Sequence, residues 1–178
     1  MHKEYYWIRD MINNIPETYP DMEDDMLSFP DRVFLNEINI IINETLEHYE
    51  NMKYREVVSR CFHRLQKCRD VYRDRQSKLN PTVIRRFIHV QIVLYSPICP
   101  HFCESIFRSI EYKKVIDNSE TLSIASLFNG VYKSSQVDDK LVFYNDYLSS
   151  ISHRISRSKI KFTKSKTSIK TVTIHSAS

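Results

Sequence analysis

The amino-acid sequence predicts an all-α fold, a bundle of about five to six helices that is followed by a short C-terminal strand. Several segments place apolar residues at helical spacing, which is the pattern of helices with one buried face. Pro97 and Pro100 lie three residues apart and cannot sit inside one regular helix, so they predict a corner between two packed helices. The length of 178 residues is enough to bury a substantial core.

The first part of the chain contains two predicted helices with an acidic loop between them. Residues 4–15 carry apolar side chains on one helical face, and two prolines end this segment. Residues 17–30 form a proline-bounded acidic loop. Asp31 is expected to cap a second helix, which runs to about Asn51 and carries a continuous apolar stripe.

Two longer apolar patterns follow in the middle of the chain. A third helix is predicted from about Tyr54 to Ser77. Asn80 is a favourable N-cap and Pro81 a favourable first helical residue, so a fourth helix should begin there and run through Tyr95. Because this fourth helix is apolar on most sides, we expect it to be the central helix of the bundle.

The remaining segments complete the bundle and lead out of it. A fifth helix is predicted from Pro100 to near Lys114, and a further one around 138–157. Residues 158–168 are rich in Lys, Ser and Thr, which is typical of a solvated linker. Residues 170–174 alternate Thr with β-branched apolar residues and predict a strand, which cannot satisfy its backbone alone.

The composition excludes several classes of function. One glycine in the whole chain cannot build a Gly-rich phosphate loop, neither a dinucleotide-binding fingerprint nor a P-loop. No run reaches the roughly eighteen apolar residues of a membrane span, and the first residues lack the apolar core of a signal peptide. We therefore expect neither a membrane partner nor a bound nucleotide cofactor.

The four cysteines predict a reduced cytoplasmic protein rather than a disulfide scaffold. Cys61 and Cys68 lie seven residues apart on one predicted helix, about 10.5 Å along its axis, which is too far for a direct bridge. Cys99, His101 and Cys103 suggest zinc, but a structural zinc site needs a second ligand pair, and no pair with suitable spacing occurs elsewhere. The sequence therefore predicts no metal.

The formal net charge of +4 hides a strong polarity along the chain. Residues 1–52 hold three basic and twelve acidic side chains, residues 53–86 hold eleven basic and three acidic ones, and residues 151–178 hold seven basic and none acidic. The excess in 53–86 suits a nucleic-acid phosphate backbone. The alternative is a solvated face whose arginines pair with acids of the second helix.

Four short motifs follow one another along the chain. Asp31–Phe34 reads D-R-V-F, Tyr49–Val58 reads Y-E-N-M-K-Y-R-E-V-V, and Gln66–Arg73 reads Q-K-C-R-D-V-Y-R. The last is R-F-I-H-V-Q, followed at 97–101 by P-I-C-P-H. Together they resemble the anticodon-binding helical bundle of leucyl-tRNA synthetases of the archaeal and eukaryotic type, which are class I enzymes. The resemblance covers residues 31–110 well, although Phe107 stands where that family commonly has Trp.

The resemblance implies a tRNA-binding piece of a larger enzyme that attaches leucine to its tRNA with ATP and Mg. The class I signatures, an H-I-G-H-like element and a K-M-S-K-S-like loop, are absent, so we expect no catalytic residue and no cofactor in this piece. Its partners would be leucine-accepting tRNA and the catalytic and C-terminal domains of the parent chain. The implied domains are 1–30 as helix and acidic loop, 31–157 as anticodon-binding bundle, and 158–178 as linker and truncated C-terminal domain.

The resemblance implies contacts to the tRNA backbone rather than reading of the anticodon bases. Arg60, Arg64 and Lys67 recur at helical spacing and should share an exposed face. For Arg69 and Arg73 a structural pair with a neighbouring acid competes with a tRNA role. The candidate tRNA-binding residues are Arg60, Arg64, Lys67, Arg69, Arg73, Arg75 and Lys78.

The proline corner is predicted to be structural, through Pro97, Cys99, Pro100 and His101. Cys99 is expected to pack as a small buried side chain, and His89 and His101 to hydrogen-bond within the bundle. Two alternative interpretations stay open. One is the bundle of an isoleucine or valine enzyme, although these usually carry P-F-x-P at the corner. The other is a helical protein-interaction module that binds partners through its acidic and basic segments.

Overall fold

The regular structure of the part of the chain that can be described is helical throughout, which confirms the all-α prediction. A computed structural model describes residues 2–14, 27–76, 78–111, 124 and 136–164. The predicted strand at 170–174 and the acidic residues 17–25 lie outside these ranges. The helices are α1 His2–Asn14, α2 Phe29–Glu50, α3 Tyr54–Val58, a π-helical segment Ser59–Arg64, α4 Leu65–Arg75, α5 Pro81–Tyr95, α6 Pro100–Glu111 and α7 Asp139–Lys164.

The chain divides into two compact units, Met1–Asp138 and Asp139–Ser178. The second unit contains α7, which the sequence predicted to end near residue 157. The helix instead continues to Lys164, so the prediction of a linker from residue 158 is wrong for its first seven residues. Lysines are good helix formers and are favourable near a helix C-terminus, which accounts for the longer helix.

The start of α2 differs from the prediction that Asp31 is its N-cap. Ser28 is the N-cap, and Asp31 is the third helical residue. The Ser28 hydroxyl accepts from the Asp31 backbone N–H at 3.4 Å, and the Asp31 carboxylate accepts from the Ser28 N–H at 3.0 Å. This capping box satisfies two N–H groups that the first helical turn leaves without partners.

The predicted third helix is interrupted by the π-helical segment Ser59–Arg64 and ends at Arg75, before extended Gln76. A π-helix bonds i to i+5, so its turns are wider than those of an α-helix. The four-residue steps Val57, Cys61 and Leu65 all remain on the core side, each with 0% of its surface exposed.

Helix α5 is the centre of the bundle, as predicted. Ten of its fifteen residues are buried, and its side chains contribute to the same core as those of α2, α4 and α6. Phe34 of α2 stacks on Tyr72 of α4, with ring centroids 4.5 Å apart, and also on Phe87 of α5 at 5.8 Å. Stacked aromatic rings therefore hold these three helices together.

Helix α1 is attached to the bundle by a buried ion pair. Glu4 Oε1 lies 2.6 Å from Arg69 Nη1, and the two side chains are 8% and 10% exposed. The Arg69 guanidinium also lies 4.1 Å from the centre of the Trp7 ring, a cation–π contact. One turn further along α1, Ile8 is fully buried.

We expect removal of one partner of this ion pair to destabilise the fold more than removal of both. Glu4→Ala leaves the buried Arg69 charge with Asp70 as its remaining carboxylate partner and should lower the free energy of unfolding by about 2 kcal/mol. The double variant Glu4→Leu with Arg69→Met should recover most of that loss. Urea unfolding followed by circular dichroism measures both, and a double variant no more stable than Glu4→Ala would contradict the assignment.

Candidate nucleic-acid interface

A buried hydrogen-bond network around Asp31 joins α2, α4 and α5 at one end of the bundle. The Asp31 side chain is 3% exposed. Its Oδ1 accepts from the Tyr72 hydroxyl and, at 2.9 Å, from Gln76 Nε2. Its Oδ2 accepts from the Ser28 N–H at 3.0 Å and from Asn80 Nδ2 at 3.4 Å. We call Ser28, Asp31, Tyr72, Gln76 and Asn80 the Asp31 network.

The network extends to the start of α5. The Tyr72 hydroxyl accepts from the Asn80 N–H at 3.1 Å, and Asn80 Oδ1 accepts from the Thr82 N–H at 3.1 Å as the predicted N-cap of α5. Gln76 Nε2 also donates to the Ser28 hydroxyl at 2.7 Å. The position of α5 is therefore set by the same carboxylate that forms the capping box of α2.

The hydrogen bonds determine the charge state of this network. Burial on its own raises the pKa of the Asp31 carboxyl, but hydrogen bonds from Tyr72, Ser28 and Asn80 outweigh burial and hold the pKa below the ordinary 3.8. Burial, and then donation to Asp31, raise the pKa of Tyr72. At neutral pH the network therefore contains a carboxylate and a protonated phenol.

Two of the predicted tRNA-binding residues pair with acids of α2. Arg60 Nε lies 2.7 Å from Glu44 Oε2, although it is not aligned for a hydrogen bond. Arg64 Nη1 donates to both oxygens of Glu44, at 2.8 and 2.6 Å, and Nη2 lies 3.5 Å from Glu37. The Arg64 side chain is 30% exposed, so the expectation of a fully exposed Arg60–Arg64 face is wrong. The pairing with the second helix that the sequence left open is confirmed for both arginines.

Arg69 lies inside the bundle, in the ion pair with Glu4, and also contacts Asp70 at 3.1 Å. Its side chain is not available to a phosphate, so the interpretation of Arg69 as a tRNA contact is wrong. The sequence could not separate the two roles, because Glu4 lies 65 residues away along the chain.

The other four candidates are exposed, and so is a further arginine. Lys67, Arg73, Arg75 and Lys78 all have exposed side chains. Arg32, which sequence reasoning missed, is exposed as well, and it directly follows Asp31 of the network. Its position within D-R-V-F was visible in the sequence, but its proximity to α4 depends on the network.

The proline corner is built from backbone hydrogen bonds. The N–H groups of Ile98 and Cys99 donate to the Tyr95 carbonyl at 3.1 and 3.0 Å, and α6 begins at Pro100. His101 is exposed, so the expectation that it hydrogen-bonds inside the bundle is wrong, and Cys99 is only half-buried. Pro97 is exposed and His89 half-buried.

The cysteines do not form a reactive or metal-binding cluster within the described ranges. All four are free thiols, and burial raises the pKa of Cys61 to about 12 and that of Cys68 to about 11. Among the residues with described positions, no three His, Cys, Asp or Glu side chains are placed to hold a metal ion. No helix in the same part of the chain is long and apolar enough to cross a membrane.

The fold defines an all-α helical-bundle domain with exposed basic residues at one end. The family described as the anticodon-binding domain of tRNA ligase matches residues 31–174, and the chain belongs to this family. The cytoplasmic leucine–tRNA ligases of Pongo abelii and Saccharomyces cerevisiae are each 29% identical to it, over 148 and 131 residues. These matches cover 83% and 74% of this chain, but only 12% and 11% of the relatives.

The cytoplasmic leucine–tRNA ligase of Dictyostelium discoideum is also 29% identical, over 111 residues, which is 62% of this chain and 10% of the relative. The chain thus spans 10–12% of the length of these three relatives. The predicted family is confirmed.

The Asp31 network should make stability depend on pH in the acid range. Because the Asp31 pKa is lower in the folded chain than its ordinary 3.8, ionisation stabilises the fold above pH 3.8, and this stabilisation is lost as the pH falls through the folded pKa. Asp31→Asn should lower the free energy of unfolding by about 2 kcal/mol at neutral pH and weaken its acid dependence. Urea unfolding at a series of pH values tests this, with exposed Asp74→Asn as the control. An unchanged acid dependence in Asp31→Asn would contradict the prediction.

At the proline corner, His101→Ala should leave the free energy of unfolding unchanged within error, because the side chain is exposed. Tyr49→Phe is the matched comparison, since the Tyr49 hydroxyl donates to the Leu94 carbonyl at 2.7 Å, just before the corner. Loss of that bond should cost about 1 kcal/mol. Thermal and urea unfolding measure both variants. A larger loss of unfolding free energy for His101→Ala than for Tyr49→Phe would indicate that His101 makes a buried hydrogen bond after all.

Proposed function

We propose that this chain is the tRNA-binding bundle of a cytoplasmic leucine–tRNA ligase. The observation that carries the proposal is the family match over residues 31–174, together with relatives that are named cytoplasmic leucine–tRNA ligases. The motif residues support it because they have structural roles in one bundle. Asp31 and Tyr72 of two motifs bond to each other, and the P-I-C-P-H corner begins α6.

In this proposal, the catalytic chemistry of the longer enzyme takes place in other domains. Attachment of leucine to tRNA requires a site for ATP and Mg, whereas the sequence has one glycine and lacks both class I catalytic signatures. In this proposal the chain binds no cofactor and has no catalytic activity of its own. It works beside the catalytic and C-terminal domains of a longer enzyme.

The tRNA is bound mainly through its phosphates and shape. Base readout in RNA commonly uses exposed aromatic side chains. In the described first unit most aromatic rings pack in or against the core, among them Phe34, Phe62, Tyr72, Phe87 and Tyr95. The exposed cations, by contrast, suit phosphate contacts that carry no sequence information. An isoleucine or valine enzyme is disfavoured by the cysteine–proline–histidine corner.

We expect the purified chain to bind tRNA with an affinity that falls steeply as salt rises, because each phosphate contact releases counterions. Leucine tRNA and a non-leucine tRNA should bind with similar affinity, since backbone contacts do not read sequence. Fluorescence anisotropy with labelled tRNAs at several salt concentrations measures both properties. Absence of tRNA binding at low salt, together with capture of a defined protein partner, would favour the protein-interaction module instead.

A further inference from the structure

We propose that tRNA phosphates bind at the end of the bundle that holds the Asp31 network, through Arg32, Arg73, Arg75 and Lys78, which we call the basic collar. This inference rests on the proposed function and deepens it by assigning the contact to one end of the bundle. It replaces the middle of the predicted third helix, where Arg60 and Arg64 are paired with acids.

The network holds together the sequence neighbours of the collar residues, which come from three parts of the chain. Arg32 directly follows Asp31, and Arg73 directly follows Tyr72, which donates to Asp31 although 41 residues separate the two partners. Arg75 directly precedes Gln76, and Lys78 lies two residues before Asn80. Because Gln76 and Asn80 also donate to Asp31, the backbone around all four cations is tied to one buried carboxylate.

The collar cations are accessible. All four have exposed side chains, and that of Arg73 is 54% exposed, with only a long 3.8 Å ion-pair contact to Asp70. The arginines of the π-helical segment differ, because Glu44 lies within 2.8 Å of both Arg60 and Arg64. An arginine already held by a carboxylate must break that pair before it can bind a phosphate.

Among the described residues around the collar, positive charges outnumber negative ones. The collar contributes four cations, and the carboxylates of Asp70 and Asp74 on α4 offset two of them. Asp70 is itself occupied by Arg69, at 3.1 Å. The carboxylate of Asp31 is buried and surrounded by its own donors.

The anchoring of the collar backbone also favours a phosphate ligand. Cations mounted on a backbone that buried hydrogen bonds hold in place lose less conformational freedom on binding than cations on a flexible loop. Arginine, which provides three of the four side chains, presents a planar fork that matches two phosphate oxygens. The end of the bundle thus offers an RNA backbone exposed cations whose sequence neighbours are anchored by buried hydrogen bonds.

Two charge-reversal variants of the full chain, one at the collar and one elsewhere, test the proposal. The collar variant is Arg32→Glu, Arg73→Glu and Lys78→Glu. Arg75 is left unchanged because it makes a further contact within the chain. The control variant is Lys53→Glu, Arg55→Glu and Arg108→Glu, which changes the net charge equally at exposed positions outside the collar and outside the candidate tRNA-binding residues.

We expect the collar variant to bind tRNA about 100-fold more weakly, and its slope of log affinity against log salt to fall by about two to three, since three phosphate contacts are lost. The control variant should lose much less affinity, and its salt slope should lie within about one of the slope measured for the unmodified chain. Circular dichroism checks that the variants are folded. If the Glu substitutions prevent folding, the same positions are changed to Gln, for which a smaller loss of affinity but the same loss of slope is expected.

Two results would overturn the collar while leaving the proposed function intact. In the first, the collar variant binds tRNA with the same affinity and the same salt slope as the unmodified chain. The second is an equal loss in both variants, which would indicate a diffuse electrostatic attraction rather than a site. If the unmodified chain does not bind tRNA at low salt, both the proposed function and the collar are overturned. That measurement is made before any variant is compared.

Discussion

The buried carboxylate of Asp31 is the constraint on which the arrangement of this bundle depends. A charged group with 3% of its surface exposed is stable only if its oxygens are satisfied by donors. The chain supplies these donors from the N-cap of α2, from α4 and from the N-cap of α5. Satisfying one side chain thereby sets the start of α2, the end of α4 and the start of α5, and central α5 then organises the apolar core.

The basic side chains of residues 53–86 fall into two groups: some form ion pairs between helices, and others are exposed. Glu44 and Glu37 of α2 face Arg60 and Arg64, and Glu4 of α1 pairs with Arg69. These contacts place part of the basic excess of residues 53–86 between helices, where it orients α1 and α2. Six other cations of that segment are exposed, namely Lys53, Arg55, Lys67, Arg73, Arg75 and Lys78, whereas Arg85 and Arg86 are half-buried. The number of basic residues in the sequence therefore overstates the number of cations available to RNA, because the paired arginines are not available.

Membership of the anticodon-binding family and the geometry of the bundle are consistent with each other. The motif residues lie mostly at helix ends and helix contacts. Asp31 lies in the first turn of α2, Tyr72 donates to it from α4, and Pro100 begins α6. In this chain the motif residues therefore fix the relative positions of the helices.

The sequence by itself determined the helical class, the family resemblance, the Asn80–Pro81 start of α5 and the corner at Pro100, because these depend on local spacing and on the backbone limits of proline. It did not determine the π-helical segment or which arginines are buried. Burial of Arg69 depends on a partner far away along the chain, since Glu4 lies 65 residues from it. The Ser28 N-cap, by contrast, rests on a local capping box with Asp31 that sequence reasoning missed. Helical periodicity places a side chain on a face of its own helix, but only the packing of the helices decides whether that face meets a carboxylate or solvent.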